Sequence, residues 1–139
     1  MNKEVKVAVL GATGYVGIEL VKILINHPHV KINFLGCDNI IINQSAGKDS
    51  VFNNSKLPKL SLNDDFDPIS SELVFLALPH GVSHNYINKY YKKIKIIDLS
   101  ADFRLDSLST YKKNYNVDHS CPELLEKFIY GLPEINQSE

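Results

Sequence analysis

Val5-Lys-Val-Ala-Val-Leu-Gly-Ala-Thr-Gly-Tyr-Val-Gly-Ile-Glu-Leu20 sets three glycines, Gly11, Gly14 and Gly17, at three-residue intervals between a run that reads as a strand and one that reads as a helix. Residues 5–10 are apolar apart from Lys6, as expected of a strand covered on both faces of a parallel sheet. From Tyr15 the period changes. Val16, Leu20, Ile23 and Leu24 recur at helical spacing, and Asn26-His27-Pro28 supplies a stop. Glycine weakens both kinds of element, so its threefold use at their junction asks for a ligand that comes close to the backbone. In a βαβ unit the first glycine of such a turn permits the bend, the next admits a dinucleotide's pyrophosphate, and the last lets the helix pack closely on the sheet. The helix N-terminus adds unpaired amides and the positive end of its dipole.

The remaining pattern agrees with this unit. Residues 30–35 alternate and reach Gly36, giving a second strand. Residues 38–57, rich in Asn and Ser, show no sustained period and read as a long functional loop. Residues 59–62 suggest a short edge strand. Residues 71–78 form a continuous apolar run ended by Pro79, a buried parallel strand. A helix over 81–91, with Val82, Tyr86, Ile87 and Tyr90 on one face, precedes a strand over 94–99. The tail mixes turns with a short helix near 123–127, and Phe128-Ile-Tyr-Gly-Leu132 looks like one more strand. The order is that of an α/β domain with a doubly wound, mostly parallel sheet of the Rossmann type spanning 1–139. The chain stops shortly after that last strand with nothing to cover its far side, which points to the N-terminal part of a longer enzyme, lacking a catalytic second domain.

Composition narrows the partners. A net charge of −1 provides no broad field for nucleic acid or an anionic membrane, and no apolar run approaches a membrane span or the core of a signal peptide. The expected location is the cytoplasm. Cys37 and Cys121 form neither a CxxC pair nor a metal cluster, so no metal is expected. Among 15 basic residues Arg104 is the one arginine. Its planar fork can grip a carboxylate or phosphate bidentately, which lysine cannot imitate; the alternative is a surface ion pair.

Asp38 lies about twenty residues past the turn, where an acidic side chain takes the adenosine ribose hydroxyl and favours NAD. Against it, Ser45-Ala-Gly-Lys48 offers a hydroxyl, backbone amides and an ammonium to a 2′-phosphate. Leu78-Pro79-His80-Gly81 falls where strand ends meet a ligand crevice, on the nicotinamide side, with His80 an acid or base, a positioning residue or a plain loop histidine. Asp98-Leu-Ser-Ala-Asp-Phe-Arg104 leaves the next strand carrying a hydroxyl, two carboxylates and the guanidinium. For Asp98 and Asp102, capping and turn formation stand beside any chemistry.

Together GATGYVGIEL at 11–20, SAGK at 45–48, FLALPHGVS at 75–83, IDLSADFRL at 97–105 and YGLPEIN at 130–136 resemble the N-acetyl-gamma-glutamyl-phosphate reductase family. The resemblance runs in order over nearly the whole chain. It implies NADPH-dependent reduction of an acyl phosphate to the semialdehyde of arginine biosynthesis, with NAD(H) left open as coenzyme. It also implies attack by a cysteine thiolate, a thioester intermediate, and a histidine as acid and base. The family's Asn-Pro-Gly-Cys nucleophile would lie beyond Glu139, so no catalytic residue is expected within the chain. Residues carried over are Gly11, Thr13, Gly14, Tyr15, Val16 and Gly17 in the coenzyme turn, Ser45, Ala46 and Gly47 near the adenosine, and Leu78, Pro79 and His80 beside the nicotinamide. Ser100, Ala101 and Arg104 would face a small acyl-phosphate substrate. Cys37, ending the second strand, is placed against the adenosine, and Cys121 remains an outside candidate for nucleophile. The full-length enzyme is expected to be a homo-oligomer.

The segment CDNIIINQ before SAGK is longer than the family usually has and lacks its basic residue, and Asn136-Gln-Ser-Glu139 stands where the family has Asn-Arg-Glu. Three rivals stand beside this reading. One is the sister reductase of the lysine route acting on carrier-linked aminoadipyl phosphate. Another is an extended short-chain dehydrogenase, for which Tyr91 and Lys95 have the Tyr-x-x-x-Lys spacing by chance. The third is a non-catalytic dinucleotide-binding module.

Overall fold

The computed structural model describes residues 3–40, 51–131 and Glu134. Five strands form one sheet: β1 (Val5–Leu10), β2 (Val30–Cys37), β3 (Leu60–Leu62), β4 (Leu73–Leu76) and β5 (Lys95–Asp98). Their spatial order is β3-β2-β1-β4-β5, and every pairing is parallel. Helix α1 (Tyr15–Leu24) follows β1, α2 (Ser83–Tyr90) follows β4, and α3 (Leu108–Tyr115) follows β5. Chain order reverses between β1 and β4, so the loops leaving those two strands part from one another at the sheet's carboxyl edge, where open α/β sheets bind ligands.

The unbroken apolar run of β1 has a simple cause: Val7, Ala8, Val9 and Leu10 are all fully buried, and they alternate between two cores. Val7 and Val9 pack with Val21, Leu24, Ile32 and Leu35 beneath α1. Ala8 and Leu10 pack with Val74, Leu76, Ile87 and Tyr90 beneath α2. The edge strand β5 is less covered, and Ile97 stands exposed on it. Among the described residues no helix is long and apolar enough to cross a membrane.

Several expectations change. The second strand continues through Gly36 to Cys37. The apolar run at 71–78 is a strand only over Leu73–Leu76, because the chain then turns across the end of β1. Helix α2 buries Ser83 and His84 with Ile87 and Tyr90, while Val82 is exposed. The tail contains α3, whose Leu108, Tyr111 and Tyr115 recur at helical spacing and which stops at Asn116 in the left-handed conformation (φ 52°). The helix near 123–127 is a 3-10 segment, Pro122–Lys127. Residues 128–131, expected to begin a strand, carry no strand pairing; Phe128 instead packs on Phe103 and Tyr91. Of the 38–57 loop, Val51–Asn53 forms a single 3-10 turn, and 41–50 lie outside the described residues.

The polar burial on α2 is explained by Asp102, a fully buried carboxylate. Its Oδ1 accepts from the Gly81 amide at 2.7 Å and the Tyr111 hydroxyl at 2.8 Å, and its Oδ2 accepts from the His84 amide at 3.0 Å. The carboxylate thus caps α2 from another loop, satisfying amides that the Val82 N-cap has no side-chain oxygen to reach. Through Tyr111 it also fixes α3. His119 adds a bond from Nε2 to the Asp102 carbonyl, accepts the Cys121 amide at Nδ1 and stacks on His84; burial holds its pKa below the usual histidine value.

Asp102→Ala would strand three donors, two of them buried. The expected loss of unfolding free energy in urea is about 3 kcal/mol or more, with Tyr111→Phe costing about 1 kcal/mol. A loss below about 1 kcal/mol for Asp102→Ala would show that the carboxylate does not hold the loops together.

Candidate functional site

The three glycines do not share one role. Gly11 turns the chain with φ +74°, and a Cβ there would lie 2.3 Å from the Ala77 carbonyl oxygen. A Cβ at Gly17 would lie 2.1 Å from the Gly11 carbonyl oxygen, so only glycine lets α1 start this close to the end of β1. At Gly14 the nearest atom to such a Cβ is Gly11 O at 3.5 Å, an ordinary contact. Its φ of −73° and ψ of 167° are open to any residue. Packing requires the outer glycines, whereas the middle one leaves room that no atom of the described residues crowds.

That room is part of a hollow of about 310 Å³. Gly11, Thr13, Gly14, Tyr15 and Val16 form one wall, Asp38 closes the β2 side, and Ala77, Leu78 and Pro79 close the β4 side. The loop spends some amides internally: Gly11 N–H donates to Asn63 Oδ1, Ala12 N–H to the Gly36 carbonyl and Gly14 N–H to the Gly11 carbonyl. Tyr15, Val16 and Gly17 open α1, and a helix's first amides have no acceptor within it. The hollow therefore meets a helix N-terminus at the sheet's reversal point, an arrangement suited to a pyrophosphate. Tyr15 and Val16 are exposed at its rim.

Asn63 enters the site from just beyond β3, and its amide is 3% exposed. While Oδ1 accepts the Gly11 amide, Nδ2 donates to Asp38 Oδ1 at 2.7 Å. The side chain crosses Gly36, where a Cβ would come within 2.3 Å of Asn63 Oδ1. Nothing in the composition around Asn63 distinguishes it from an ordinary loop asparagine; only the β2–β3 pairing, Gly36 to Ser61, brings it to the turn.

The loops after β4 and β5 form the neighbouring surface. A groove of about 440 Å³ is lined by Asp98, Leu99, Ser100 and Arg104 facing Ile129 and Tyr130. Burial raises the Asp98 pKa, and its oxygens accept the Ser100 amide and hydroxyl at 3.0 and 2.8 Å. Ser100 Oγ in turn accepts the Asp102 amide. Asp98 and Asp102 thus both act in turn formation and capping. Ala101 accepts the Arg104 amide and completes the turn. Arg104 is exposed and pairs with no carboxylate among the described residues. Its guanidinium lies 5.8 Å from the centre of the Tyr115 ring, and the His80 ring lies 5.6 Å from the same ring. Tyr115, at the end of α3, thus stands beside both Arg104 and His80, a neighbour that sequence reasoning missed; the helical spacing of Leu108, Tyr111 and Tyr115 is the signal that could have found it.

A family model for the semialdehyde dehydrogenase NAD-binding domain matches residues 6–139. The chain belongs to this family. It is 46% identical to the N-acetyl-gamma-glutamyl-phosphate reductase of Ehrlichia canis (strain Jake), covering 97% of the chain and 39% of that relative. It is 42% identical to the enzyme of the same name from Paracoccus denitrificans (strain Pd 1222), covering 96% and 39%. The chain therefore spans about 39% of the length of these relatives. The structure of aspartate semialdehyde dehydrogenase with NADP from Candida albicans superposes with a TM-score of 0.62 at 19% identity, over 73% of this chain and 31% of that one. That of aspartate semialdehyde dehydrogenase II from Vibrio cholerae gives 0.57 at 18%, over 76% and 34%. These two likenesses show the fold.

Within the semialdehyde dehydrogenase domain, Gly11, Thr13, Gly14, Tyr15 and Val16 converge with Asp38, Leu78 and Pro79 on one hollow, while Gly17 packs behind it on the Gly11 carbonyl. Ser100 and Arg104 converge on the next groove, and His80 adjoins it through Tyr115. Ser45, Ala46 and Gly47 lie outside the described residues. The thiols need correction. Cys37 is fully buried and its Sγ donates to the Ser61 carbonyl, so its side chain faces the interior and not the adenosine. Cys121 is fully buried, its Sγ donates to the His84 carbonyl, and burial raises its pKa; a shielded thiol held protonated is not a nucleophile. Among the described residues no group of three or more His, Cys, Asp or Glu side chains is placed to hold a metal ion.

The contrast among glycines gives a direct test. Gly14→Ala should change unfolding free energy by no more than about 1 kcal/mol while weakening NADPH and NADH binding roughly tenfold or more, as read by fluorescence titration. Gly17→Ala should cost about 2 kcal/mol or more in the free protein. Unchanged coenzyme affinity in Gly14→Ala would remove the hollow from the binding site.

Proposed function

We propose that this chain is the coenzyme-binding part of a longer N-acetyl-gamma-glutamyl-phosphate reductase, which converts an acyl phosphate to its semialdehyde. The observation that carries the coenzyme half is the open position at Gly14, a cradle at the reversal point of a parallel sheet that the fold does not need for its own packing. The substrate half is supported by relatives of that name at 41–46% identity and by an arginine without an acidic partner among the described residues. The same relatives favour the arginine route over the lysine route. The motif resemblance favours NADPH as reductant.

In this reading the backbone of 11–17 and the amides opening α1 hold the pyrophosphate, and the loop carrying Leu78, Pro79 and His80 flanks the nicotinamide. When bound, the coenzyme supplies hydride. Arg104 grips the phosphate or carboxylate of the substrate as a bidentate fork, and Tyr115 backs the guanidinium with its ring face. Asp102 keeps the β4 and β5 loops in fixed relation. The thiolate that displaces phosphate comes from elsewhere in the enzyme, since Cys37 and Cys121 are both enclosed. Two free thiols suit the reducing cytoplasm, where we place the enzyme.

Phosphate-dependent oxidation of N-acetylglutamate semialdehyde by the full-length enzyme tests this function, with carrier-linked aminoadipate semialdehyde as the competing substrate. Turnover of the first is expected, and turnover of the second alone would move the assignment to the lysine route. In the same enzyme, Arg104→Lys should lower kcat/KM for the acyl phosphate by roughly tenfold or more with coenzyme affinity unchanged, because a point charge replaces a fork. Equal loss in both quantities would make Arg104 structural.

A further inference from the structure

Tyr115 stands where loops from two different strands meet. The Arg104 guanidinium, on the loop after β5, lies 5.8 Å from its ring centre, and the His80 ring, on the loop after β4, lies 5.6 Å from it. Both neighbours are exposed, whereas Tyr115 is half-buried. Its helix is anchored one turn earlier by Tyr111, whose ring lies 5.1 Å from that of Tyr115 and whose hydroxyl donates to Asp102 Oδ1. The same carboxylate oxygen accepts the amide of Gly81, the residue after His80. Just past the helix, Val117 crowds Gly81, where a Cβ would lie 3.2 Å from Val117 Cγ1. The Tyr115 ring is therefore the fixed member of the three, and His80 and Arg104 are the side chains with room to take other rotamers.

The two loops face different ligand sites. Pro79, next to His80, closes the coenzyme hollow, and Arg104 lines the neighbouring groove. We infer that Tyr115 is a positioning residue that couples these two sites: its ring holds Arg104 ready for the substrate's phosphate and ties that readiness to the His80 loop beside the coenzyme. This rests on the proposed function, with the hollow as the dinucleotide site and Arg104 as the anion's fork. A planar guanidinium over an aromatic ring gains cation–π attraction and gives up rotamer freedom before any anion arrives. A coenzyme that orders residues 78–81 packs His80 on the same ring, so the phosphate then meets a ring and a guanidinium that are already ordered. Phosphate favours the coenzyme by the same factor, because coupling between two binding sites is reciprocal. For an exposed contact of this kind the factor is roughly threefold. Alanine at this position would offer the guanidinium no face, and phenylalanine would offer the same one.

The test is calorimetric titration of the full-length enzyme with NADP+, without and with saturating inorganic phosphate, which supplies the anion but permits no turnover in the absence of semialdehyde. The wild type should bind NADP+ roughly threefold more tightly when phosphate is present. Tyr115→Ala should bring that factor to one and raise the KM for phosphate in semialdehyde oxidation roughly threefold or more, with affinity for NADP+ alone unchanged. Tyr115→Phe should keep the wild-type values of both. In an Arg104→Ala background, Tyr115→Ala should have no further effect on phosphate. His80→Ala changes an exposed side chain, should also bring the factor to one, and keeps the test alive should Tyr115→Ala fail to fold. A factor of one in the wild type, or coupling that survives in Tyr115→Ala or His80→Ala, would overturn the inference while leaving both sites in place. Weaker binding of NADP+ alone in Tyr115→Ala, or equal losses in Tyr115→Phe, would give the residue another role and equally overturn it. Absence of phosphate-dependent turnover in the wild type would overturn the proposed function itself, and this inference with it.

Discussion

A close approach between helix and strand shapes the candidate site. Helix α1 begins against the end of β1 with Gly17 pressed on the Gly11 carbonyl, where a Cβ would stand 2.1 Å from oxygen. Any side chain at that point would lift the helix, carrying its opening amides away from the sheet edge. Because α1 sits this low, the first turn of the helix and the loops after β2 and β4 enclose one hollow instead of three separate surfaces. Of the two glycines that line the hollow, Gly11 and Gly14, only Gly14 is left free by packing. A site for an anionic ligand thus follows from a steric constraint between two glycines, and the dipole and unpaired amides act on whatever that constraint admits.

Two polar side chains do for the loops what the glycines do for the helix. Asp102 joins the β4 loop, α2 and α3 through three donors, at a position with no solvent exposure. Asn63 joins the glycine turn to the end of β2. Burying such groups is costly unless each is satisfied, and both are. The result is that residues from distant parts of the chain reach the carboxyl edge of the sheet in fixed relation.

The elements legible in the sequence were those whose cause is local. The β1 run, the period change at Tyr15, and the apolar segments that became β4 and β5 each declare themselves by burial on two faces or one. Gly11, Gly14 and Gly17 were legible as a group, but their division of labour was not, because it depends on Ala77 and Gly11 carbonyls placed by the fold. Asn63 and Tyr115 act through long-range neighbours and left no motif, although the helical spacing behind Tyr115 was present. Cys37 looked available because it ends a strand at the ligand edge; strand alternation turned its thiol inward. Residues 128–131 have strand-like composition, yet an edge strand needs a paired neighbour, and these pack through Phe128 on Phe103 instead.

The account's central claim is that the amides opening α1 receive the pyrophosphate of a nicotinamide dinucleotide. Titrating isotope-labelled protein with the oxidised dinucleotides, while following backbone amide resonances, addresses it most directly. Saturable shifts should be largest at Gly14, Tyr15, Val16 and Gly17, with smaller ones at Asp38 and Leu78. Shifts concentrated on another face of the sheet, or none that saturate at those four amides, would contradict it.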